Sequence, residues 1–258
     1  MRIDLFLFQN GYVKSRQKAK SLIEEGNVSL DGKVISKPSF DVDELTEHTV
    51  SIVDKCPYVS RGGLKLEGLL KSANIDVTNK VCLDVGASTG GFTHCLILNG
   101  AKKVFAVDSG TNQLAPELKN DTRVTSLEGF NARNITVDDL GCLVDIITID
   151  VSFISQTLIM PSAFKLLNDS GTYLSLIKPQ FEAGRANISK GGIVKSARAR
   201  FDAVKAVVDC AKVNSMLCTH LIKSPIQGGD GNIEYLAVFS KTGKPLEEKI
   251  IKNIVLQQ

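Results

Sequence analysis

Paired cysteines, clustered histidines and long apolar stretches are all missing from this 258-residue sequence. No two of its six cysteines form a Cys-x-x-Cys pair and its three histidines stand far apart, which indicates no zinc site and favours idle thiols in a reducing compartment. The apolar run at the N-terminus is too short for a signal peptide, and the uncharged stretch 151–164 is too short to span a membrane. We therefore expect a cytoplasmic monomer that binds neither metal nor membrane.

A large excess of one charge is absent as well, because the net charge is only +3. The net charge says nothing about a nucleic-acid partner, but the charged residues are unevenly distributed along the sequence. Residues 13–20 carry four cations and no acid, and residues 176–212 carry eight cations against three acids. These two segments are candidate phosphate-facing surfaces, although a charge run is more commonly a solvated face.

The clearest pattern that is present is an apolar strand, Val81–Val85, which runs directly into a glycine-rich turn and then a helical segment. This order is typical of a ligand cradle at the edge of a parallel sheet. The spacing is Gly-x-x-x-Gly-Gly and not the Gly-x-Gly-x-x-Gly of dinucleotide sites, which favours S-adenosylmethionine over NAD. The alternative is a turn that only joins strand to helix. The expected cofactor contacts from this stretch are Asp84, Gly86, Ala87, Ser88, Gly90, Gly91 and Phe92.

Strands and helices alternate from Val81 onward, which predicts an α/β fold with a Rossmann-like, seven-stranded, mostly parallel sheet. The two strands nearest the C-terminus are separated by a tight loop without a helix, so the last strand is expected to be antiparallel. The predicted strands are residues 81–85, 103–108, 124–127, 145–150, 172–178, 218–223 and 233–240.

Polar residues at the ends of these strands are candidates for binding and catalysis, because ligands of open α/β sheets bind beyond the carboxyl ends of parallel strands. Asp108 ends the second strand, where a carboxylate can accept hydrogen bonds from both ribose hydroxyls; a helix cap is its alternative role. Asn131 follows the third strand and is expected to read the adenine edge. Asp150 and Lys178 end parallel strands and Glu234 opens the antiparallel one, so all three should meet at one edge, where Asp150 is also an expected cofactor contact. A surface ion pair is the alternative for each.

The residues after the fourth strand narrow the choice of methyl acceptor. They read Asp150-Val-Ser-Phe153, which is not the Asn/Asp-Pro-Pro-aromatic sequence of amino-group methylation, and the cysteine needed for carbon methylation of pyrimidines is missing there. A hydroxyl acceptor remains, and a hydroxyl needs a base and in-line placement. Lys178 is the candidate base. Phe153 and Phe181 are candidates for stacking on a flipped target base.

The N-terminal residues form a separate pattern of two short helices, over residues 4–10 and 15–25, followed by a hairpin that turns at Asp31-Gly32. This pattern resembles the small RNA-binding module of a small-subunit ribosomal protein. A structural or protein-binding role is the alternative. The residues that carry the resemblance are Arg2, Asp4, Ser15, Arg16, Ala19, Leu22, Ile23, Gly26, Val28, Asp31 and Gly32.

Several motifs together resemble the TlyA family, whose members are known as hemolysins and as ribosomal RNA 2′-O-methyltransferases, with a second domain similar to the FtsJ-type ribose methyltransferases. Besides the N-terminal module, they are Ser60-Arg-Gly-Gly-Leu-Lys65, Asp84-Val-Gly-Ala-Ser-Thr-Gly-Gly-Phe92, Asp150-Val-Ser-Phe153, Lys178-Pro-Gln-Phe-Glu182 and Gly228-Gly-Asp-Gly-Asn-Ile-Glu234. The resemblance implies that the FtsJ-type catalytic Lys-Asp-Lys-Glu tetrad is Lys65, Asp150, Lys178 and Glu234. Lys65 is assigned to the tetrad by this resemblance alone.

The residue pattern predicts a compact module over residues 1–54 and, from its Pro and Gly residues, a linker over 55–63. The resemblance implies that the first module binds RNA and that residues 64–258 form a methyltransferase domain. It also implies methyl transfer from S-adenosylmethionine to the 2′-hydroxyl of a cytidine in large-subunit (23S) ribosomal RNA, since the chain is similar to the shorter form restricted to that subunit. One alternative is a membrane-active hemolysin, which needs an export signal and a lipid-inserting segment. Another is an inactive RNA-binding ribosome-assembly factor. The expected RNA contacts are Arg2, Lys14, Arg16, Lys18, Lys20, Arg61, Arg185 and Lys190.

Overall fold

The structure is a computed structural model that describes residues 1–13, 15–53, 56–228 and 231–257, without the side chain of Gln17. It divides into two compact units, Met1–Pro57 and Tyr58–Gln258. The predicted RNA contact Lys14 and the first residue of the predicted linker, Lys55, lie outside the described residues. Residues 58–63, also predicted as linker, belong to the second unit because the Tyr58 side chain is buried there at 7% exposure.

The first unit consists of two helices and a small antiparallel sheet. Ser15 caps the second helix, since its Oγ accepts a hydrogen bond from the Lys18 N–H at 3.1 Å, as the sequence predicts. The hairpin turns at Asp31 and Gly32, whose φ angles of 51° and 77° suit a two-residue turn. The elements are α1 (Ile3–Gln9), α2 (Arg16–Glu24), β1 (Val28–Leu30), β2 (Lys33–Val34) and β3 (Val50–Ile52).

Strand β3 was not predicted from the sequence. It pairs antiparallel with β1, so that β1 lies in the centre of the order β2-β1-β3. The strand contains only three residues, and its pairing partner lies about twenty residues earlier, so no local turn signals it. The apolar core of this unit comes from both helices, the sheet and the segment between β2 and β3, and comprises Ile3, Leu7, Ala19, Leu22, Ile23, Val28, Leu30, Ile35 and Val42.

The second unit is built on a seven-stranded sheet in the order β6-β5-β4-β7-β8-β10-β9. Strands β4 to β8 are parallel to one another, and β10 is antiparallel to both β8 and β9. This topology confirms the predicted Rossmann-like fold. The strands are β4 (Val81–Val85), β5 (Lys103–Asp108), β6 (Val124–Glu128), β7 (Val144–Ile149), β8 (Leu167–Ile177), β9 (Leu217–Lys223) and β10 (Tyr235–Ser240).

The helices of the second unit include one long element, α9, which Ser196 caps by accepting a hydrogen bond from the Ala199 N–H at 3.2 Å. Its apolar residues Phe201, Val204 and Val207 join one core cluster with the apolar side chains of the sheet. Among the described residues, no helix is long and apolar enough to cross a membrane. The helices are α3 (Gly62–Ala73), α4 (Gly91–Leu98), α5 (Pro116–Lys119), α6 (Val137–Leu140), α7 (Met160–Ala163), α8 (Pro179–Glu182), α9 (Ala197–Val213) and α10 (Glu248–Leu256).

Sheet order determines where a ligand can bind. Strand β4 lies between β5 and β7, so the chain leaves β4 toward one side of the sheet and later returns on the other side. Such a reversal opens a crevice beyond the carboxyl ends of the strands. The carboxyl ends of β4 and β7 border this crevice, and those of β5 and β8 flank it.

Candidate active site

Two ion pairs lie at this carboxyl edge. The Nζ of Lys65 lies 2.5 Å from Oε2 of Glu234, and the Nζ of Lys178 lies 2.5 Å from Oδ1 of Asp150. The side chain of Glu234 is 2% exposed, those of Lys65 and Lys178 are 11% and 13% exposed, and that of Asp150 is 22% exposed. Charges this shielded from water interact more strongly than surface pairs, provided that each keeps its partner.

Strand pairing explains how residues so far apart in sequence meet. Tyr235 of β10 is paired with Ile177 of β8, so the preceding Glu234 and the following Lys178 lie opposite each other just beyond the ladder. Asp150 follows the end of β7, and its N–H donates to the Val85 carbonyl at 2.9 Å. Lys65 comes from the first turns of α3, a helix that contacts β10.

Two further polar residues contact these pairs and were not assigned from the sequence. Lys178 Nζ donates to Ser152 Oγ at 2.9 Å, and Gln180 Nε2 donates to Glu234 Oε1 at 3.5 Å. Both belong to motifs that carry the family resemblance, so the sequence could have indicated them as site residues. Only the folded chain shows that Gln180 links the segment of Lys178 to the second ion pair.

The glycine turn owes its shape to close backbone approaches. Gly86 has φ of 83°, and a Cβ at this position would collide with the carbonyl of Asp150. Gly90 has φ of 97° and faces the side chains of Leu114 and Leu118, so its hydrogen is needed for packing against the protein. A Cβ on Gly91 would meet the Oγ of Ser60. The turn therefore packs tightly on three sides.

Asp84 lies beneath the turn. Its side chain is fully buried, and its two carboxylate oxygens accept hydrogen bonds from Thr93 Oγ1 at 2.6 Å and Thr148 Oγ1 at 2.8 Å. Burial raises the pKa of Asp84 to about 6, although these hydrogen bonds oppose the rise. The geometry thus differs from the expected cofactor contact: this carboxyl group connects β4 to α4 and β7.

Asp108 lies beside the turn and contacts it directly. Its Oδ2 accepts from the Ser88 N–H at 2.7 Å and its Oδ1 from the Gly110 N–H at 2.7 Å. Glu128, which no sequence motif indicates, ends β6 and holds the adjoining loop by accepting from the N–H groups of residues 112–114. These backbone hydrogen bonds lower the pKa of Glu128 to about 2.

The remaining predicted cofactor contacts differ in accessibility. Ser88 and Asn131 are exposed and Asp108 is partly exposed, whereas Ala87 and Phe92 are buried at 7% and 3% exposure. Asn131 Oδ1 accepts from the Arg133 N–H at 3.1 Å and so caps a short 3-10 turn. The Phe130 N–H donates to the Asp108 carbonyl at 2.9 Å, which places the segment of Asn131 next to Asp108.

An exposed aromatic pair lies at the same edge. Phe153 is 93% exposed and has φ of 64°, a left-handed conformation that bulky side chains avoid. Its ring centroid lies 5.2 Å from that of Phe181, and Lys178 Nζ lies 6.0 Å from the Phe181 centroid. A strained backbone that presents an apolar ring to solvent is a common feature of binding sites.

The predicted RNA contacts of the first unit lie partly in one cluster. Asp4 is fully buried and accepts from Arg2 Nε at 3.0 Å and from Arg16 Nε at 2.8 Å, while both arginine side chains remain 46% exposed. Burial alone would raise the pKa of Asp4, but the two guanidinium groups hold it below its ordinary value. Lys18 is partly exposed and Lys20 is exposed.

In the second unit, Arg61 Nη2 donates to the Gln227 carbonyl at 3.2 Å, and Arg185 and Lys190 are exposed. Within the described ranges, no three histidine, cysteine, aspartate or glutamate side chains come together as metal ligands.

The sheet order defines a Rossmann-like α/β fold, and the family match identifies its class as a methyltransferase. Residues 58–241 match the FtsJ-like methyltransferase family, and residues 1–46 match the S4 domain. Hemolysin A from Brachyspira hyodysenteriae is 44% identical over 93% of this chain and 99% of its own length. The 16S/23S rRNA (cytidine-2′-O)-methyltransferase TlyA from Mycobacterium tuberculosis is 38% identical over 98% of this chain and 95% of its own length.

A solved structure of a hemolysin from Streptococcus thermophilus is also similar. It superposes with a TM-score of 0.79 at 42% identity, covering 99% of this chain and 94% of that one. The chain therefore belongs to the TlyA family, with an S4 domain followed in the sequence by an FtsJ-like methyltransferase domain.

Proposed function

We propose that this protein transfers a methyl group from S-adenosylmethionine to the 2′-hydroxyl of a cytidine in large-subunit ribosomal RNA. The observation that carries the proposal is the arrangement of Lys65, Asp150, Lys178 and Glu234 as two ion pairs at the carboxyl edge of the sheet, beside the glycine turn. The name of the Mycobacterium tuberculosis relative, which specifies cytidine 2′-oxygen and includes 23S RNA, supports the acceptor and the substrate.

The residues at the turn fit S-adenosylmethionine. Each oxygen of Asp108 accepts one backbone N–H, and a carboxylate oxygen has a second lone pair that can accept from a ribose hydroxyl. Asn131 is exposed next to Asp108 and can reach the adenine edge, and Ser88 is exposed on the turn itself. When bound, S-adenosylmethionine supplies a methyl group that an oxygen nucleophile can attack. Asp84 and the buried Phe92 support the turn from below.

Lys178 is the group that takes the proton of the acceptor hydroxyl: its ion-paired ammonium group first releases one proton to solvent, and the resulting amine then accepts the hydroxyl proton. Its Nζ is held between Asp150 Oδ1 and Ser152 Oγ, two acceptors on the segment that follows β7. Contacts of this kind restrict the lysine to one side of the crevice, which favours proton transfer in a single geometry. Lys65 and Glu234 form the second ion pair at the same edge, where a shielded cation can stabilise the developing negative charge on the oxygen.

Phe153 and Phe181 are proposed to receive the target base. A cytidine inside folded RNA must leave its stack before its ribose can enter the crevice. The exposed Phe153 ring offers a stacking surface at the edge where Lys178 lies. Stacking on an aromatic side chain offsets part of the cost of removing the base from the RNA stack.

The S4 domain is proposed to bind the structured RNA around the target. Arg2 and Arg16 are held by Asp4 while their side chains remain 46% exposed, so they can contact phosphates without first being ordered. Arg61, Arg185 and Lys190 are the proposed contacts of the methyltransferase domain. The predicted division into residues 1–54, 55–63 and 64–258 and the monomeric state remain predictions. A ribosomal substrate would place the protein in the cytoplasm.

The test is methyl transfer from labelled S-adenosylmethionine to isolated large and small ribosomal subunits, followed by nuclease digestion and identification of the modified nucleoside. We expect 2′-O-methylcytidine from the large subunit alone. Label on the small subunit would contradict the restriction to the large one. Absence of label from both subunits, in a sample that binds the cofactor, would favour an RNA-binding scaffold over an enzyme.

A further inference from the structure

Glu182 ends the Lys178-Pro-Gln-Phe-Glu182 motif but has no part in the proposed transfer of a proton or methyl group. Its Oε2 accepts a hydrogen bond from Ser155 Oγ at 2.5 Å, and its Oε1 accepts from the Gln156 N–H at 3.0 Å. Burial raises the pKa of this carboxyl group above its ordinary value. Burying a carboxyl group costs free energy, and hydrogen bonds to its oxygens offset that cost. Both oxygens of Glu182 make these bonds to a single neighbouring segment, which the carboxyl group thereby holds in place.

The segment that Glu182 contacts, residues 150–156, carries Asp150, Ser152 and Phe153. At its start, the Asp150 N–H donates to the Val85 carbonyl at 2.9 Å. At its end, Gln156 is 1% exposed, and its Oε1 accepts from Ser175 Oγ at 2.6 Å. The segment is thus anchored to β4 before the strained residue and to β8 and Glu182 after it.

Phe153 needs such anchoring because its φ of 64° is unfavourable for a phenylalanine. Because Phe153 is 93% exposed, burial of its ring does not offset this backbone strain. A strained residue keeps its conformation only when the surrounding contacts determine it. The Lys178–Asp150 pair also connects the two segments, but Lys178 must exchange protons and contact the acceptor during the reaction. Glu182 contacts Ser155 and Gln156, which have no part in the proposed transfer, so these contacts can persist throughout.

We propose that Glu182 is a positioning residue that locks residues 150–156 against residues 178–182 and thereby keeps Phe153 in its strained, exposed conformation beside Lys178. The inference rests on the proposed function, because Phe153 and Lys178 matter only if the edge carries out methyl transfer. The lock itself is a property of the protein alone and can be measured without substrate.

The sequence contains no tryptophan, so Phe153→Trp introduces a single fluorescent reporter on the segment. We expect Glu182→Ala in this background to lower the steady-state anisotropy of the reporter and to increase its quenching by acrylamide. Glu182→Gln should leave both values unchanged, because the amide can accept from the Gln156 N–H and donate to the Ser155 hydroxyl. Asp209→Ala is the matched control, since it removes an exposed carboxylate whose partner is Lys205 on α9.

Kinetics in the chain with the native Phe153 provide the second readout. Misplacement of the two segments by Glu182→Ala should lower kcat on large subunits about 10- to 100-fold, while the KM for S-adenosylmethionine changes less than about twofold. Glu182→Gln should restore most of kcat. A purely structural role would lower the amount of active protein in Glu182→Ala and leave kcat per active site unchanged.

Unchanged anisotropy and kcat in Glu182→Ala would overturn the lock. If that variant does not fold, Ser155→Ala carries the test: a smaller fall in anisotropy is expected, and no change would overturn the proposal. If the wild-type protein methylates neither subunit, the proposed function fails, whereas the anisotropy still decides whether Glu182 orders the segment.

Discussion

Lys65 and Glu234 are separated by 169 residues, yet the lysine Nζ lies 2.5 Å from a glutamate oxygen. Both side chains are shielded, with Glu234 only 2% exposed. In such a pair, desolvation of the charges is offset only while both partners are present, so loss of one partner costs more than loss of both.

Removing one partner should therefore destabilise the protein strongly. We expect Lys65→Met to lower the free energy of unfolding by about 3 kcal/mol, because it leaves Glu234 buried without a cation. Lys65→Met should also abolish methyl transfer. Adding Glu234→Gln should recover most of the lost free energy of unfolding but not the methyl transfer. Urea unfolding measures the first effect and a turnover assay the second. On the same helix, Lys71→Ala breaks only an exposed pair with Glu67 and should cost less than about 0.5 kcal/mol.

Lys178→Ala should abolish methyl transfer and leave S-adenosylmethionine affinity nearly unchanged, because the lysine is held by Asp150 and Ser152 on the segment after β7 and not by the glycine turn. Calorimetric titration of the cofactor and single-turnover kinetics separate the two effects. Lys205→Ala removes a lysine on α9 and is the control. Near-normal turnover in Lys178→Ala would exclude this residue as the base.

Gly90→Val should weaken cofactor binding by distorting the turn. The sequence alone predicts that the valine blocks the ligand; in the structure, a Cβ at this position meets Leu114 and Leu118, and φ is 97°. The variant should therefore also lose thermal stability. Gly141→Ala is the control, because Gly141 has φ of 73° and nothing within 4 Å of a Cβ, so it reports the backbone cost of roughly 1 to 2 kcal/mol alone. Unchanged cofactor affinity in Gly90→Val would show that the pocket lies elsewhere.

Phe153→Ala should reduce RNA methylation without reducing stability. Loss of one stacking partner is expected to lower kcat/KM for the ribosomal subunit roughly 10-fold. Since the ring is 93% exposed, the free energy of unfolding should change by less than about 0.5 kcal/mol. Phe181→Ala tests the second ring in the same assay. Full activity of both variants would dismiss stacking as the role of this pair.

Asp84→Asn should change how stability depends on pH. Burial raises the pKa of Asp84 to about 6 from an ordinary value of 3.8, so its contribution to stability is fully present below the unfolded pKa and is lost as pH rises through about 6. Relative to wild type, the variant should gain up to about 3 kcal/mol of unfolding free energy between about pH 4 and pH 7. Chemical denaturation across this range measures the difference. A constant difference would mean that Asp84 does not titrate there.

Much of the fold follows from local pattern. The strands Val81–Val85 and Lys103–Asp108 match the predicted bounds, because glycine and polar residues flank each short apolar run and mark where the strand begins and ends. The Asp31-Gly32 turn and the Ser15 cap also follow from local chemistry. Strand β3 does not, because it depends on pairing with a distant segment.

Within the candidate site, the predicted strand ends are sufficient to place Asp150, Lys178 and Glu234 at one edge, since the carboxyl ends of parallel strands coincide. The positions of the strands do not indicate Lys65, because it lies on a helix that precedes the sheet in the sequence. Only the family resemblance assigns it. Ser152, Gln180 and Glu182 occur in recognisable motifs, but their partners depend on how two loops pack together.

The sequence by itself determined the alternation of strands and helices, the glycine turn, the two-part organisation and the types of residue available for chemistry, because these depend on neighbours a few positions apart. Tertiary structure alone decided which lysine pairs with which acid, that Asp84 lies beneath the turn, and that Phe153 is strained and exposed. Pairing, burial and strain arise from contacts between segments distant in the chain, and such contacts leave no local periodicity for the sequence to show.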